Sequence, residues 1–104
     1  MLSINDIKTA VAPLVKDYPV RRVILFGSYA RGDATNISDI DLIIDSGGQL
    51  NGFDFFGIVG TIVKTMPIKV DVFELNEIIK PSEFYNSIIK EGVTIYESQN
   101  KKAT

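Results

Sequence analysis

The sequence predicts an α+β (α/β) fold. Two observations carry that expectation. Runs rich in β-branched residues alternate with segments whose apolar residues recur at helical spacing, in the order α-β-α-β-α-β-α-β. The chain has 104 residues, 45% hydrophobic and 23% charged, with no repeat and no low-complexity segment. That is enough to bury one core and too little for a second, so one domain over residues 1–104 is expected.

Each element has its own local signal. Ser3 to Asp17 reads as a helix: Ser3 can cap it, Asp6 stands three residues on as in a capping box, and Ile7, Val11, Leu14 and Val15 recur near helical spacing. Pro13 inside that pattern removes a backbone donor and predicts a kink or a break. Tyr18-Pro19 ends the element, because the residue before Pro avoids helical angles. Val20 to Phe26 is a strand by its β-branched content, and Gly27-Ser28-Tyr29-Ala30 turns from it into a helix. Gly32 to Ser38 is a loop, Ile40 to Asp45 a second strand, and Ser46-Gly47-Gly48 a turn.

Phe53 to Thr65 is the second long helix. Its apolar residues cover more than one face, which burial on both sides or contact with a partner would explain. Core is the first reading of these phenylalanines. Gly57 and Gly60 make sense there if another backbone approaches closely. Ile68 to Leu75 is a third strand. Ser82 to Glu91 is an amphipathic helix with Phe84, Tyr85, Ile88 and Ile89 on one face and Gly92 as its stop. Val93 to Tyr96 is a last short strand, and 98–104 is a polar tail expected to fray.

The missing residue types narrow the chemistry. There is no His and no Cys, which removes Ser-His-Asp and Cys-His mechanisms, the usual zinc sites, disulfides and thiol redox chemistry. Carboxylates, Lys, Arg, Ser, Thr and Tyr remain, and carboxylates alone suit a hard cation such as Mg²⁺. A net charge of −2 gives no reason to expect a nucleic acid as direct ligand. No run approaches the ~18–20 apolar residues that span a bilayer, and the N-terminus lacks a signal-peptide pattern, so a cytoplasmic protein without membrane attachment is expected.

Alternation along a strand puts Asp39, Asp41 and Asp45 on one face and Ile40, Leu42 and Ile44 on the other. Asp39 and Asp41, roughly 6.6 Å apart at about 3.3 Å per residue, repel unless a positive charge lies between them. Divalent cations bridging them would suit phosphoryl or nucleotidyl transfer. Asp71 interrupts an apolar strand, where Asp is disfavoured, and a shared metal would give it a reason. Gly27-Ser28 opens a turn whose backbone donors can face an anion, with Arg31 the nearest positive charge. Each feature has an ordinary reading as well: a plain turn, solvated acids, an edge-strand residue, a surface ion pair. Asp33, Asp45 and Glu74 read as surface charges.

Taken together, Gly27-Ser28, ten residues, Asp39-x-Asp41 and a later strand Asp71 resemble the DNA polymerase β-like nucleotidyltransferase superfamily. The string Leu25 to Gly32, then Ser38 to Leu42, then Val70-Asp71-Val72, Pro81, a short helix and Val93 to Glu97, is similar to the minimal nucleotidyltransferase (MNT) group. The resemblance covers about residues 20–97. It implies a small mixed sheet with helices packed on it. It also implies that Gly27 and Ser28 hold the triphosphate of ATP, with Arg31 near the phosphates. Asp39, Asp41 and Asp71 would bind Mg²⁺, as two ions, and Asp71 would help activate the attacking hydroxyl.

Stand-alone proteins of this group resemble the antitoxins of HEPN/MNT toxin–antitoxin pairs, which attach AMP to a tyrosine of an adjacently encoded HEPN ribonuclease toxin. That partner is expected here, with the Phe53–Val63 segment as a candidate contact surface. The competing expectations are an antitoxin that only masks its toxin and a transferase acting on a small molecule. The second would need a substrate domain, for which this chain has no room unless a partner chain supplies it.

Overall fold

A computed structural model describes residues 1–98; the polar tail beyond Ser98 lies outside the described residues. Four strands form one mixed sheet: β1 (Arg22–Phe26), β2 (Ile40–Asp45), β3 (Val70–Glu74) and β4 (Val93–Glu97), in the order β3-β2-β1-β4. β1 pairs antiparallel with β2 and β4, while β2 and β3 are parallel. A parallel pair cannot be joined by a hairpin and needs a crossover. The helix α3 (Gly52–Thr65) supplies it.

Helix α1 (Ile4–Val15) and α3 cover one face of the sheet. Ile7, Val11 and Val15 from α1, with Ile58 and Ile62 from α3, meet Val23, Leu25, Ile40, Leu42 and Ile44. The opposite face carries Ile24 and Ile43, covered by Leu75 of a 3-10 turn (Leu75–Glu77) and Ile88 of the last helix, α4 (Glu83–Glu91). Burying each such side chain contributes roughly 1.5–3 kcal/mol, so both faces of β2 hold the fold together. Ile40, Leu42 and Ile44 take the core face assigned by alternation. A short helix, α2 (Ser28–Arg31), completes the elements.

The capping box forms as the sequence predicts: Asp6 N donates to Ser3 Oγ at 3.0 Å, and Ser3 N donates to Asp6 Oδ2 at 2.8 Å. Those bonds lower the Asp6 pKa, the backbone bond to Ser3 first. The expected break at Pro13 does not occur, and α1 runs through it to Val15. Pro13 and Thr9, the residue whose carbonyl would have bonded an amide at 13, are both exposed. Water can serve that carbonyl, so the helix loses one bond and keeps its path.

Helix α3 departs further from expectation. Ile58 and Ile62 alone are fully buried, while Phe53 is 88% exposed, Phe56 74% and Val63 50%. The phenylalanines at 53 and 56 are therefore surface, not core. Among the described residues no backbone approaches these glycines: a Cβ on Gly60 would meet nothing within 4 Å, and one on Gly57 only Tyr18 Oη at 3.9 Å. In α4, Ile89 points away from the sheet and is 56% exposed, although spacing grouped it with Ile88. Among the described residues no helix is long and apolar enough to cross a membrane.

Candidate active site

Strand register assembles the acids. Asp41 of β2 is the partner of Phe26 in β1 and of Asp71 in β3. Paired residues of neighbouring strands point to the same face, so Phe26, Asp41 and Asp71 form one row across three strands. The next row is Ile24, Ile43 and Phe73. Asp39 immediately precedes β2 and Lys69 immediately precedes β3. Ile40 N donates to Lys69 O at 3.0 Å and ties those two strand starts together.

Lys69 Nζ lies 3.6 Å from Asp39 Oδ2 and 3.9 Å from Asp71 Oδ1. It is a counter-charge that sequence reasoning missed, although Lys69-x-Asp71 at strand spacing was the available signal. The Asp41 carboxyl is pushed above the ordinary carboxylate value. Burial is the main cause, repulsion from Asp71 and then Asp39 adds to it, and Arg31 and Lys69 act in the opposite direction.

Among the described residues no three acidic side chains converge on a single point. The donor set nonetheless suits a hard divalent cation. It offers carboxylate oxygen only, and burial, with repulsion from Asp71 and Asp39 added to it, opposes ionisation of Asp41.

The turn after β1 fits against this row. Gly27 has φ 79° and ψ −154°, a conformation essentially confined to glycine. A Cβ there would stand 2.5 Å from Asp41 Oδ2. Glycine is thus needed both for the backbone angles and for the approach of the carboxylate. Ala30 N and Arg31 N both donate to Gly27 O at 3.0 Å, closing α2 into a single turn. Tyr29, 6% exposed, anchors that turn in the core and leaves Ser28 at its start, beside Asp41's strand.

Arg31, expected near the phosphates, pairs here with two acids. Its Nε is 3.3 Å from Asp33 Oδ2, and its Nη1 is 3.8 Å from Glu91 Oε1 at the end of α4. Both pairs are solvent-exposed, and exposed pairs contribute about 0–1 kcal/mol. They hold the guanidinium only loosely.

Two acids read as surface charges do structural work instead. Asp45 is buried: Arg22 Nε donates to its Oδ2 at 2.8 Å, and Gly47 N donates to its Oδ1 at 3.1 Å. Glu74 Oε2 accepts from Ser46 Oγ at 3.1 Å. Asp33 stays exposed, as expected. Also unforeseen is an aromatic bridge, in which Phe84 of α4 meets Phe26 at 5.7 Å and Phe73 at 5.6 Å between ring centroids, both edge-on. A hollow of about 380 Å³ lined by Met1, Leu2, Tyr29, Asn36, Pro67 and Ile68 contains none of the acids.

Residues 9–101 match the polymerase beta nucleotidyltransferase family. The chain belongs to that family. It is a nucleotidyltransferase, on a polymerase β-like fold.

Among its relatives in Methanocaldococcus jannaschii, one candidate protein adenylyltransferase is 31% identical over 77 residues, spanning 74% of this chain and 83% of the relative. A second is 33% identical over 86 residues, spanning 74% of this chain and 79% of the relative. A crystal structure of a toxin–antitoxin complex with AMP-PNP contains a chain of the same fold, with TM-score 0.73 and 18% identity over 92% of this chain and 77% of that one. So does the complex of a tri-AMPylated Shewanella oneidensis HEPN toxin with its MNT antitoxin, with TM-score 0.69 and 16% identity over 96% and 77% of the two chains.

Proposed function

We propose that this nucleotidyltransferase is the antitoxin of a toxin–antitoxin pair and transfers AMP from ATP to a tyrosine hydroxyl of a HEPN-type ribonuclease. The observation that carries the reading is the Asp41–Asp71 register pair, with Asp39 one residue before its strand and Gly27 closed against Asp41. The relatives named as protein adenylyltransferases and the toxin–antitoxin complexes of the same fold support the choice of acceptor and partner.

In this reading Gly27 and Ser28 seat the β- and γ-phosphates, where a backbone without a Cβ permits close approach. Arg31 swings from its exposed partners toward the same phosphates. Asp39, Asp41 and Asp71 would hold Mg²⁺, which when bound would stabilise charge on the attacking and leaving oxygens. Asp71, at the β3 side, orients the phenolic hydroxyl and takes its proton. The phenolic oxygen bonds to the α-phosphorus, the bond from that phosphorus to the bridging oxygen breaks, and pyrophosphate leaves. Nothing in this scheme asks for a histidine, which the chain lacks. The exposed Phe53, Phe56 and Val63 of α3 offer an apolar face for the protein partner.

That exposed face equally suits an antitoxin that only masks its toxin. The deciding experiment supplies ATP labelled at the α-phosphate, Mg²⁺ and the HEPN partner to wild type and to an Asp39→Asn/Asp41→Asn double variant. Label on a partner tyrosine with wild type only supports transfer. A partner bound and silenced by both proteins, with no label, would establish masking.

A further inference from the structure

Phe26 and Phe73 belong to the two strands that flank β2, about 9.5 Å apart at the usual strand spacing. A single ring, Phe84, packs edge-on against both. It therefore lies across β2, over the face that carries Asp41 and Ile43. The bridge is not sealed: Phe73 and Phe84 are each 38% exposed. Large aromatic surface left open beside a row of carboxylates calls for an occupant.

The direction of the strands selects that occupant. β2 and β3 run from the Asp39 and Lys69 end toward Phe73, and β1 runs the other way. The Gly27-Ser28 turn thus stands on the Asp39 side of the acid row, Phe73 stands on the other side, and Phe84 reaches from Phe73 back to Phe26 in the row itself. In phosphoryl transfer the attacking and leaving oxygens lie roughly in line. With pyrophosphate on the turn and the α-phosphorus over Asp41 and Asp71, the attacking hydroxyl comes from the aromatic side.

Resting on the transfer reading above, we propose that Phe73 and Phe84 form the acceptor subsite and select a hydroxyl carried on an aromatic ring. A phenol entering there packs against the two rings and presents its oxygen to the acid row. Aromatic pairs prefer edge-to-face or offset contacts at 4.5–7 Å, the arrangement these rings already adopt. An aliphatic hydroxyl has no ring to place on this wall. The step is the balanced transfer already given, with the phenolic proton passing through Asp71 to solvent.

Two measurements test the subsite. With α-labelled ATP and the HEPN partner, Phe73→Leu and Phe84→Leu keep an apolar side chain but lose the ring. Each is expected to raise the acceptor KM roughly three- to tenfold and to leave the ATP KM and kcat within about twofold. A rise in the ATP KM instead would assign the wall to the nucleobase and overturn the proposal, as would an unchanged acceptor KM.

The second measurement needs no turnover. In the intact protein with ATP and Mg²⁺, N-acetyl-tyrosinamide should shift the ring ¹H–¹³C signals of Phe73 and Phe84 saturably, and N-acetyl-leucinamide should not. Ring shifts without label transfer by wild type would sink the transfer reading and leave the two rings as a binding site for a phenol. Label transfer to tyrosine with neither ring responding would sink the subsite alone.

Discussion

Single residues set the working compromise of this site. The raised pKa of Asp41 means that its protonated form favours the folded state. That contribution is fully present below the ordinary Asp value and is lost as pH rises through the raised one. At neutral pH, ionised Asp41 therefore weakens the metal-free fold. Asp41→Asn is expected to raise the thermal midpoint at pH 7 in EDTA and to remove this part of the pH dependence, while AMP transfer falls more than about a hundredfold. Thermal melts across pH 3–7 with a parallel label-transfer assay check both halves. Gly27→Ala is expected to fail differently. The positive φ costs about 1–3 kcal/mol, and the new Cβ also displaces the Asp41 carboxylate. Urea unfolding should report the stability loss, with transfer lost even at temperatures where the variant stays folded.

At the scale of elements, α3 is a crossover helix held by one stripe and open on the other. Ile58 and Ile62 bury it against the sheet, and Phe53, Phe56, Gly60 and Val63 stand exposed. Gly60→Ala is expected to stabilise the isolated chain by roughly 0.5–1 kcal/mol, since helix propensity improves and nothing meets the added Cβ. Equilibrium unfolding in urea checks this. A gain in the free chain with weaker binding to the proposed HEPN partner would mean the glycine is kept for that partner's approach. In α1 the proline at 13 was legible and its consequence was not. A proline's cost depends on whether the carbonyl it orphans can reach water, which the exposure of Thr9 decided.

At the scale of the molecule, the sheet order β3-β2-β1-β4 brings three separate sequence segments to one face: the turn at 27–28, the acids at 39 and 41, and the acid at 71. Ligand binding there should stabilise the whole fold. Mg²⁺ with ATP at about 100 times its Kd contributes about 2.7 kcal/mol, which for a domain this size is a thermal shift on the order of 10 °C. Scanning fluorimetry should show that shift in wild type, its reversal by EDTA, and its absence from Asp39→Asn/Asp41→Asn. The sequence by itself determined the element order, the cap at Ser3, the strand at 40–45 and the family-bearing glycine, serine and aspartates, because these are written in local propensity and short-range spacing. Only the tertiary structure decided that Asp41 and Asp71 are register partners, that Lys69 stands between acids, that Asp45 is buried on Arg22, and that Phe84 bridges two strands. Those are contacts between residues far apart in the chain. They depend on strand order and register, and no periodicity within a single segment encodes which segments become neighbours.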